Sequence, residues 1–417
     1  MELHRHPQSA ELFAELLNRP SPQINAPAVA KQWVLMPAPG DAHASASLRE
    51  AIAQLCQTHG VAGPGTEKHH HVQLGSMELR WEQHTEFSSV VLIADHTTDA
   101  AALPTAWLTG IQHTLLTGAL IQIHTPDTAP DGWLNGWPGA VGGQVMSQAG
   151  TIATTLRPND SGLVDYRIIN RDLDPARLGR LTQRLYEIET YRMLALLGLP
   201  LAKQTGQTLN ELEQQLVELV ERLGDTEDLS DDQQLLDELF GLAQASERLM
   251  ANTDYRFSAT QAYGRIVRDR LDEVNEQALD HRQPLGEFLE RRFEPAMRTT
   301  ANITRRQENL SARIARTVSL ARTRVEVSLQ TQHRTQLEAM AHRAQLQLRL
   351  QRTVEGLSVM AISYYTIGIL AYLLGGWLPT DHVKWWISVT SPALLLGIWW
   401  LLKRWRKRLM EADEDAD

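Results

Sequence analysis

The fold is decided by one long stretch of the chain, AMRTTANITRRQENLSARIARTVSLARTRVEVSLQTQHRTQLEAMAHRAQLQLRLQRTVE, which runs from Ala296 to Glu355. It contains neither Gly nor Pro, so its composition favours an uninterrupted α-helix. At about 1.5 Å per residue the helix would be roughly 90 Å long, too long for the interior of an ordinary domain. The sequence therefore predicts a stalk at 296–356, either a coiled coil or a strut bound by a partner.

Two apolar segments follow the stalk, Leu357–Leu374 and Trp385–Leu402. Each is close to the roughly 20 residues that a helix needs to cross the hydrocarbon core of a bilayer. Tryptophans stand near the ends of the second segment, as is typical of membrane interfaces. The pair predicts a two-helix C-terminal transmembrane hairpin, with the lipid bilayer as its partner.

The flanking charges predict the orientation of this hairpin. Five Lys or Arg residues lie within 403–408, and three Arg residues lie within 343–352. The turn between the segments carries only Asp381 and Lys384. Because Lys and Arg are retained on the cytoplasmic side, we expect a multi-pass protein with both termini, including the charged tail 403–417, in the cytoplasm.

Charge is divided unequally along the chain. The net charge is -10, yet the stalk holds eleven Arg, four Glu and no Lys or Asp. Between Glu211 and Glu238 eleven acidic residues meet only Arg222. We expect the basic helix and this acidic segment to pack against each other. The stalk arginines go round the helix instead of forming a stripe, so nucleic acid is not an expected partner.

The residues 1–172 alternate short strand and helix signals, which predicts an α/β or α+β cytoplasmic domain. Strands are expected at Val29–Met36, His70–Leu74, Met77–Gln83, Phe87–Ala94, Leu120–His124, Gly143–Thr155 and Leu163–Ile169. Gly75 and Ser76 predict a hairpin turn, and Ser47 is a candidate N-cap for a helix that ends at Thr58. The single cysteine, Cys56, excludes an intramolecular disulfide and fits a reducing compartment.

An acidic helical region is predicted at 173–295. Asp174 and Pro175 have the pattern of an N-cap and a first helical residue, and this first helix should end before Pro200. Further helices are expected at Thr208–Leu223, Ser230–Thr253, Ser258–Gln277 and Leu285–Phe293. Oxygen ligands in the loop Asp225–Asp232 could hold divalent cations, and a solvated acidic loop is the alternative interpretation.

Apolar residues recur along the stalk with a period of eleven, as in Val318, Leu329 and Met340. This period fits a straight or slightly right-handed bundle. One apolar stripe on so long a helix needs a partner, and the acidic helices can cover only part of it. We therefore predict a homo-oligomer about the stalk axis.

The sequence contains no catalytic or cofactor-binding motif: neither a phosphate-binding glycine loop, nor a nucleophile elbow, nor a zincin helix. Neither an enzyme nor a cofactor is expected. Of the histidines 69–71 only His69 and His71 could share an ion, since neighbouring strand residues point to opposite faces, and no metal site is predicted. A hydrolase is a distant alternative that would need a pocket joining His71, His84 or Asp95 to a second catalytic group.

Four segments resemble a known family: HVQLGSMELRWEQHTEFSS (His71–Ser89), GRLTQRLYEIETYRMLALLGLP (Gly179–Pro200), RFSATQAYGRIV (Arg256–Val267) and LQLRLQRTVEGLSVMAISYYTIG (Leu346–Gly368). They are similar to the bacterial uncharacterised membrane-anchored proteins, domain of unknown function thirty-four twenty-two. The resemblance implies a membrane anchor in the bacterial inner membrane and no particular activity. The family motif E-x-H-A-R-P reads Glu15 to Pro20 here, and its histidine is missing.

The layout alone is also similar to that of the CorA-type magnesium channels. Those channels carry a Gly-Met-Asn signature at the outer end of the first span, and this chain reads Gly375-Gly376-Trp377 there. Magnesium selectivity is therefore not implied by the layout.

Polar residues on the stalk and the first span are candidates for facing a pore: Gln336, Gln347, Ser358 and Thr366. The first three are each eleven residues apart and can share a helix face. Hydroxyl groups in spans are also common packing contacts, and neither span contains an acidic residue to attract cations. We expect a membrane-anchored oligomer with a structural, interaction or sensing role. The alternative is a CorA-like ion channel or transporter without the selectivity signature.

Overall fold

An eight-stranded sheet followed by long helices makes up the protein in the computed structural model. The structure describes residues 20–38, 44–95, 103–108, 110–134, 136–225, 229–279 and 282–375, with isolated residues outside these ranges. The chain divides into two compact units, Met1–Thr226 with Gln234–Ser319 and Glu227–Gln233 with Leu320–Asp417. The sheet lies in the first unit, and the predicted α+β region followed by long helices is confirmed.

The strands are β1 Ala28–Pro37, β2 His69–Leu74, β3 Met77–Gln83, β4 Ser88–Asp95, β5 His113–His124, β6 Gln144–Val145, β7 Gly150–Pro158 and β8 Val164–Asn170. Their order across the sheet is β2-β3-β4-β1-β5-β8-β7-β6. Neighbours are antiparallel except for the parallel pair β5–β8. The predicted hairpin is confirmed, because Leu74 pairs with Met77 across Gly75 and Ser76.

One predicted strand, Gly143–Thr155, is two strands in the structure. Between β6 and β7 the backbone of Met146, Ser147 and Gln148 adopts the left-handed conformation, with φ of 53°, 61° and 71°. Three successive left-handed residues cannot continue a strand, so the chain reverses there.

The helices are α1 Ala44–Thr58, α2 Pro175–Leu196, α3 Gly198–Asp225, α4 Leu229–Val274, α5 Leu285–Arg292 and α6 Glu294–Gly375, with a short 3₁₀ helix at Ala106–Leu108. Asp174 caps α2 as predicted, since its carboxylate accepts a hydrogen bond of 2.8 Å from the Arg177 amide. Ser47 is not the cap of α1, which begins three residues earlier, and its hydroxyl donates to the Ala44 carbonyl.

The predicted break between Thr253 and Ser258 is wrong, because α4 runs through it. Thr253 is 3 % exposed and its hydroxyl donates to the Leu249 carbonyl one turn earlier. The same hydroxyl accepts from Gln307 at 3.0 Å. The contact between Thr253 and Gln307 on α6 therefore helps to keep this part of α4 helical, although its helix propensity is low.

The two faces of the sheet bury separate cores. Along β1, Val29 and Trp33 contribute to the core under α1, and Ala28 and Ala30 contribute to the core under α2. Successive side chains of a strand point to opposite faces of the sheet, and on β1 both faces are covered. The α2 side joins the sheet to α4 and α5 through buried residues such as Leu185.

The predicted stalk 296–356 and the first span 357–374 form one continuous helix, α6, of 82 residues. Pro295 lies in the first turn of α6. Backbone N–H groups there have no acceptor within the helix, so the N–H that proline lacks costs no hydrogen bond. The second predicted span, Trp385–Leu402, falls mostly outside the described residues. The structure therefore does not show the two-helix hairpin.

Candidate functional site

The last part of α6 carries an apolar surface. Within the described part of the chain, one helical run, Leu285–Leu373, is long and apolar enough to cross a membrane, with a mean hydropathy of 1.5 in its most apolar window of 18 residues. Only 6 % of that window is buried. Between Leu357 and Leu373, the large apolar side chains that are more than half exposed are Leu357, Met360, Ile362, Tyr364, Tyr365, Ile369, Tyr372 and Leu373.

The four candidate pore residues all lie on α6. Gln336, Gln347 and Ser358 are exposed, and Thr366 is half-buried. The hydroxyl of Ser358 donates to the Val354 carbonyl at 2.9 Å, and that of Thr366 donates to the Ile362 carbonyl at 2.7 Å. Both hydroxyl protons are therefore used within the helix itself.

The acidic segment pairs with the basic helix as predicted. Glu213 on α3 accepts from Arg306 on α6 at 2.7 Å. Asp232 is 2 % exposed and pairs with Arg324 at 3.1 Å. The described residues contain no group of three His, Cys, Asp or Glu side chains that could hold a metal ion. Glu227 lies outside the described residues, as does Asp228, so cation binding in this loop stays a prediction.

The histidines of β2 pair with neighbouring carboxylates. His69 lies 3.2 Å from Glu67, and His71 lies 3.7 Å from Glu82. The rings of His69 and His71 are 6.1 Å apart, which agrees with alternate strand residues sharing a face.

Three of the four family segments meet at the Glu86 cluster, formed by Glu86, Phe87, Tyr191, Arg256 and Tyr263. One carboxylate oxygen of Glu86 accepts from the Arg256 guanidinium at 3.0 Å and from the Tyr263 hydroxyl at 3.4 Å. The Tyr191 ring contacts Phe87 at 6.3 Å and Tyr263 at 5.5 Å. The cluster therefore joins the β3–β4 turn to α2 and α4.

Two tyrosines donate a hydrogen bond to Glu86: Tyr263 of the cluster, and Tyr255, which precedes Arg256 in the chain. Burial, and then the charge of Glu86, raise the pKa of Tyr263 to about 12. The hydrogen bond to Glu86, and then burial, raise the pKa of Tyr255. Both hydroxyls stay protonated at neutral pH, which suits a structural lock better than proton transfer.

His84 lies in a small polar cavity beside this cluster, lined also by Glu82, Glu187 and Tyr191. Its ring stacks on Phe87 at 4.3 Å, and its Nε2 is 3.7 Å from Glu82. The cavity has a volume of about 50 Å³, which suits one or two waters and is far below the size of ligand pockets. A hydrolase would need a larger opening here.

A second buried polar group, the Glu189 network, links α2 to the sheet. Glu189 is fully buried and accepts from the Thr117 hydroxyl at 2.7 Å and the Tyr166 hydroxyl at 3.3 Å. The Arg192 guanidinium donates to both carboxylate oxygens at 2.7 Å. Burial lowers the pKa of Arg192, but the charge of Glu189 raises it, and the net shift is upward. Sequence reasoning missed both buried glutamates, although each lies within a family segment.

One comparison with known proteins found a match. A family model described as "Protein of unknown function (DUF3422)" matches residues 4–409. No curated protein and no solved structure matches the chain. The likeness to the CorA-type channels gains no support from them and stays a prediction.

Proposed function

The chain belongs to the DUF3422 family, and we propose that it is a membrane-anchored oligomer of the bacterial inner membrane with an interaction or sensing role. In this proposal the end of α6 from Leu357 onward enters the bilayer. The sheet-containing unit stays in the cytoplasm and binds partners or ligands instead of catalysing a reaction.

The apolar surface at the end of α6 carries this proposal. A core helix of a soluble protein meets the same criteria of length and apolarity, but most of its apolar window is buried, whereas here 6 % is. Removing one large apolar side chain from water is worth about 1.5–3 kcal/mol. Residues such as Leu357, Met360 and Ile369, which are 60–72 % exposed, would therefore favour lipid over water strongly.

The proposed topology places both termini in the cytoplasm, with the second apolar segment returning the chain across the bilayer. Its support is the concentration of Lys and Arg on the outer flanks of the two segments.

The proposed oligomer rests on apolar side chains along the same helix. Leu310 and Ile314 are each 1 % exposed, whereas Leu329 and Met340 are 37 % and 64 % exposed. The stripe is thus covered at its beginning and uncovered further along. Copies of the chain packed through their stalks would cover the rest.

An ion channel is the alternative. Its support is the shared helix face of Gln336, Gln347 and Ser358. The hydroxyls of Ser358 and Thr366 donate within their own helix, as do those of Thr331 and Thr353 on the exposed stalk, so this bond does not separate a pore lining from an anchor.

Thiol labelling in native membranes tests the anchor. The variants Met360→Cys and Ile369→Cys place a thiol on the apolar surface, and the control Arg334→Cys places one on the stalk, where Arg334 is 82 % exposed and lies on the face away from Met340. The native Cys56 is fully buried and should not compete. We expect a charged maleimide to label the control rapidly and the other two slowly, and all three equally after denaturation. Equal labelling of the three variants in native membranes would overturn the proposal.

A further inference from the structure

A cleft lined by three arginines lies in the sheet-containing unit, between the end of β7, the last turns of α2 and helix α5. Its volume is about 300 Å³, at the lower end of the range of small-molecule sites. Arg157, Arg192 and Arg292 line it, and the described lining residues include no Asp or Glu. The remaining wall is largely apolar: Leu156, Leu196, Phe288, Leu289 and Phe293.

The three arginines differ in how their charges are balanced. The charge of Arg192 is neutralised by Glu189, which also fixes its position. Its Nε is buried and has no hydrogen-bond partner among the described residues. Arg157 and Arg292 are exposed, and neither forms an ion pair with a described residue. Arg292 instead lies 5.0 Å from the centre of the Phe288 ring.

The backbone beside the cleft is strained. Leu156 has φ of 53°, in the left-handed region that a leucine rarely adopts. The pairing of β7 with β8 shifts register at this point, between Thr154 and Pro158. Such irregularities redirect a side chain and cluster at ligand sites, and this one precedes Arg157 directly.

We infer that this cleft binds a phosphate monoester carried on a small, partly apolar group. Arginine forks match the oxygens of phosphate, and a monoester carries a charge of about -1.5 to -2 at neutral pH. That charge balances the two arginines that lack a carboxylate partner, which a single carboxylate would not do. The apolar wall would hold the organic part of the ligand.

Two sources could supply this chemistry: a soluble phosphate ester, or the headgroup of a lipid such as phosphatidic acid. The test is isothermal titration calorimetry on the full chain in a neutral detergent. The probes are phenyl phosphate, inorganic phosphate and short-chain dihexanoyl phosphatidic acid. Phenyl phosphate should bind more tightly than inorganic phosphate because its ring can contact Phe288 and Leu196. Tighter binding of the lipid than of phenyl phosphate would assign the source to the membrane.

The variants Arg157→Gln and Arg292→Gln should each weaken binding at least about tenfold, the effect of losing one charge-assisted hydrogen bond. The matched control is Arg291→Gln, since Arg291 is adjacent in sequence, is 73 % exposed and pairs with Glu287 instead of lining the cleft. Circular dichroism verifies that the exposed-site variants are folded. The inference is overturned if the wild-type chain binds none of the probes at millimolar concentration, or if all three variants bind equally.

Discussion

Replacing Glu189 by Gln should destabilise the sheet-containing unit strongly. The amide would retain the shape of the carboxylate but would leave Arg192 without its charge partner. The new NH₂ group would also face the hydroxyl of Thr117 or Tyr166, which now donates to the carboxylate, so that two hydrogen-bond donors would meet without an acceptor. Breaking a buried ion pair on one side costs about 3–5 kcal/mol. For a unit of more than 250 residues the loss corresponds to a fall in Tm of roughly 5–8 °C.

Thermal unfolding of the full chain in detergent, followed by near-ultraviolet circular dichroism, measures this fall. Glu211→Gln is the matched control, since Glu211 is an exposed residue of α3, and its Tm should stay within about 2 °C of the wild type. The double variant Glu189→Leu with Arg192→Met should be more stable than Glu189→Leu alone, because it removes the uncompensated charge. A Tm for Glu189→Gln within 2 °C of the wild type would refute the reasoning.

Three further outcomes are expected. Gly179→Ala should cost about 1–3 kcal/mol of stability, because its Cβ would clash with the Pro22 carbonyl oxygen. Gly241→Ala should instead be stabilising, because a Cβ there has open space and alanine favours the helix. Denaturant unfolding measures the free energy of unfolding of both variants. Burial raises the pKa of the Cys56 thiol, so a thiol reagent should modify it only after unfolding; rapid reaction of the native protein would contradict this. Burial lowers the pKa of His124, so its share of stability is intact above about pH 6.5 and is lost as the pH falls through the folded-state pKa. The pH slope of unfolding should therefore be smaller in His124→Gln.

Local signals predicted most of the elements. The hairpin across Gly75 and Ser76, the cap at Asp174 and the unbroken helix after Ala296 each depend on a few adjacent residues. The split of Gly143–Thr155 into two strands is local, because it follows from the left-handed backbone at 146–148. Two features depend instead on partners far away in the sequence: the parallel pairing of β5 with β8, on which no prediction was made, and the continuity of α4 at Thr253, where a break was predicted.

The buried polar sites could not be predicted for the same reason. Glu86 and Arg256 are separated by 170 positions, and Glu189 and Thr117 by 72. On a helix, Glu189 and Arg192 have the spacing of an ordinary surface pair, and only the sheet beneath α2 makes the pair buried. The cleft arginines are likewise far apart in sequence, with 35 positions between Arg157 and Arg192 and 100 between Arg192 and Arg292.

The proposed function depends on membrane attachment through the end of α6, which flotation of washed vesicles measures. Membranes that contain the full chain, or a chain ending at Glu355, are treated with alkaline carbonate and urea and then floated on a density gradient. We expect the full chain to float with the vesicles and the shorter chain to stay at the bottom. Release of the full chain by the wash, or flotation of the shorter chain, would contradict it.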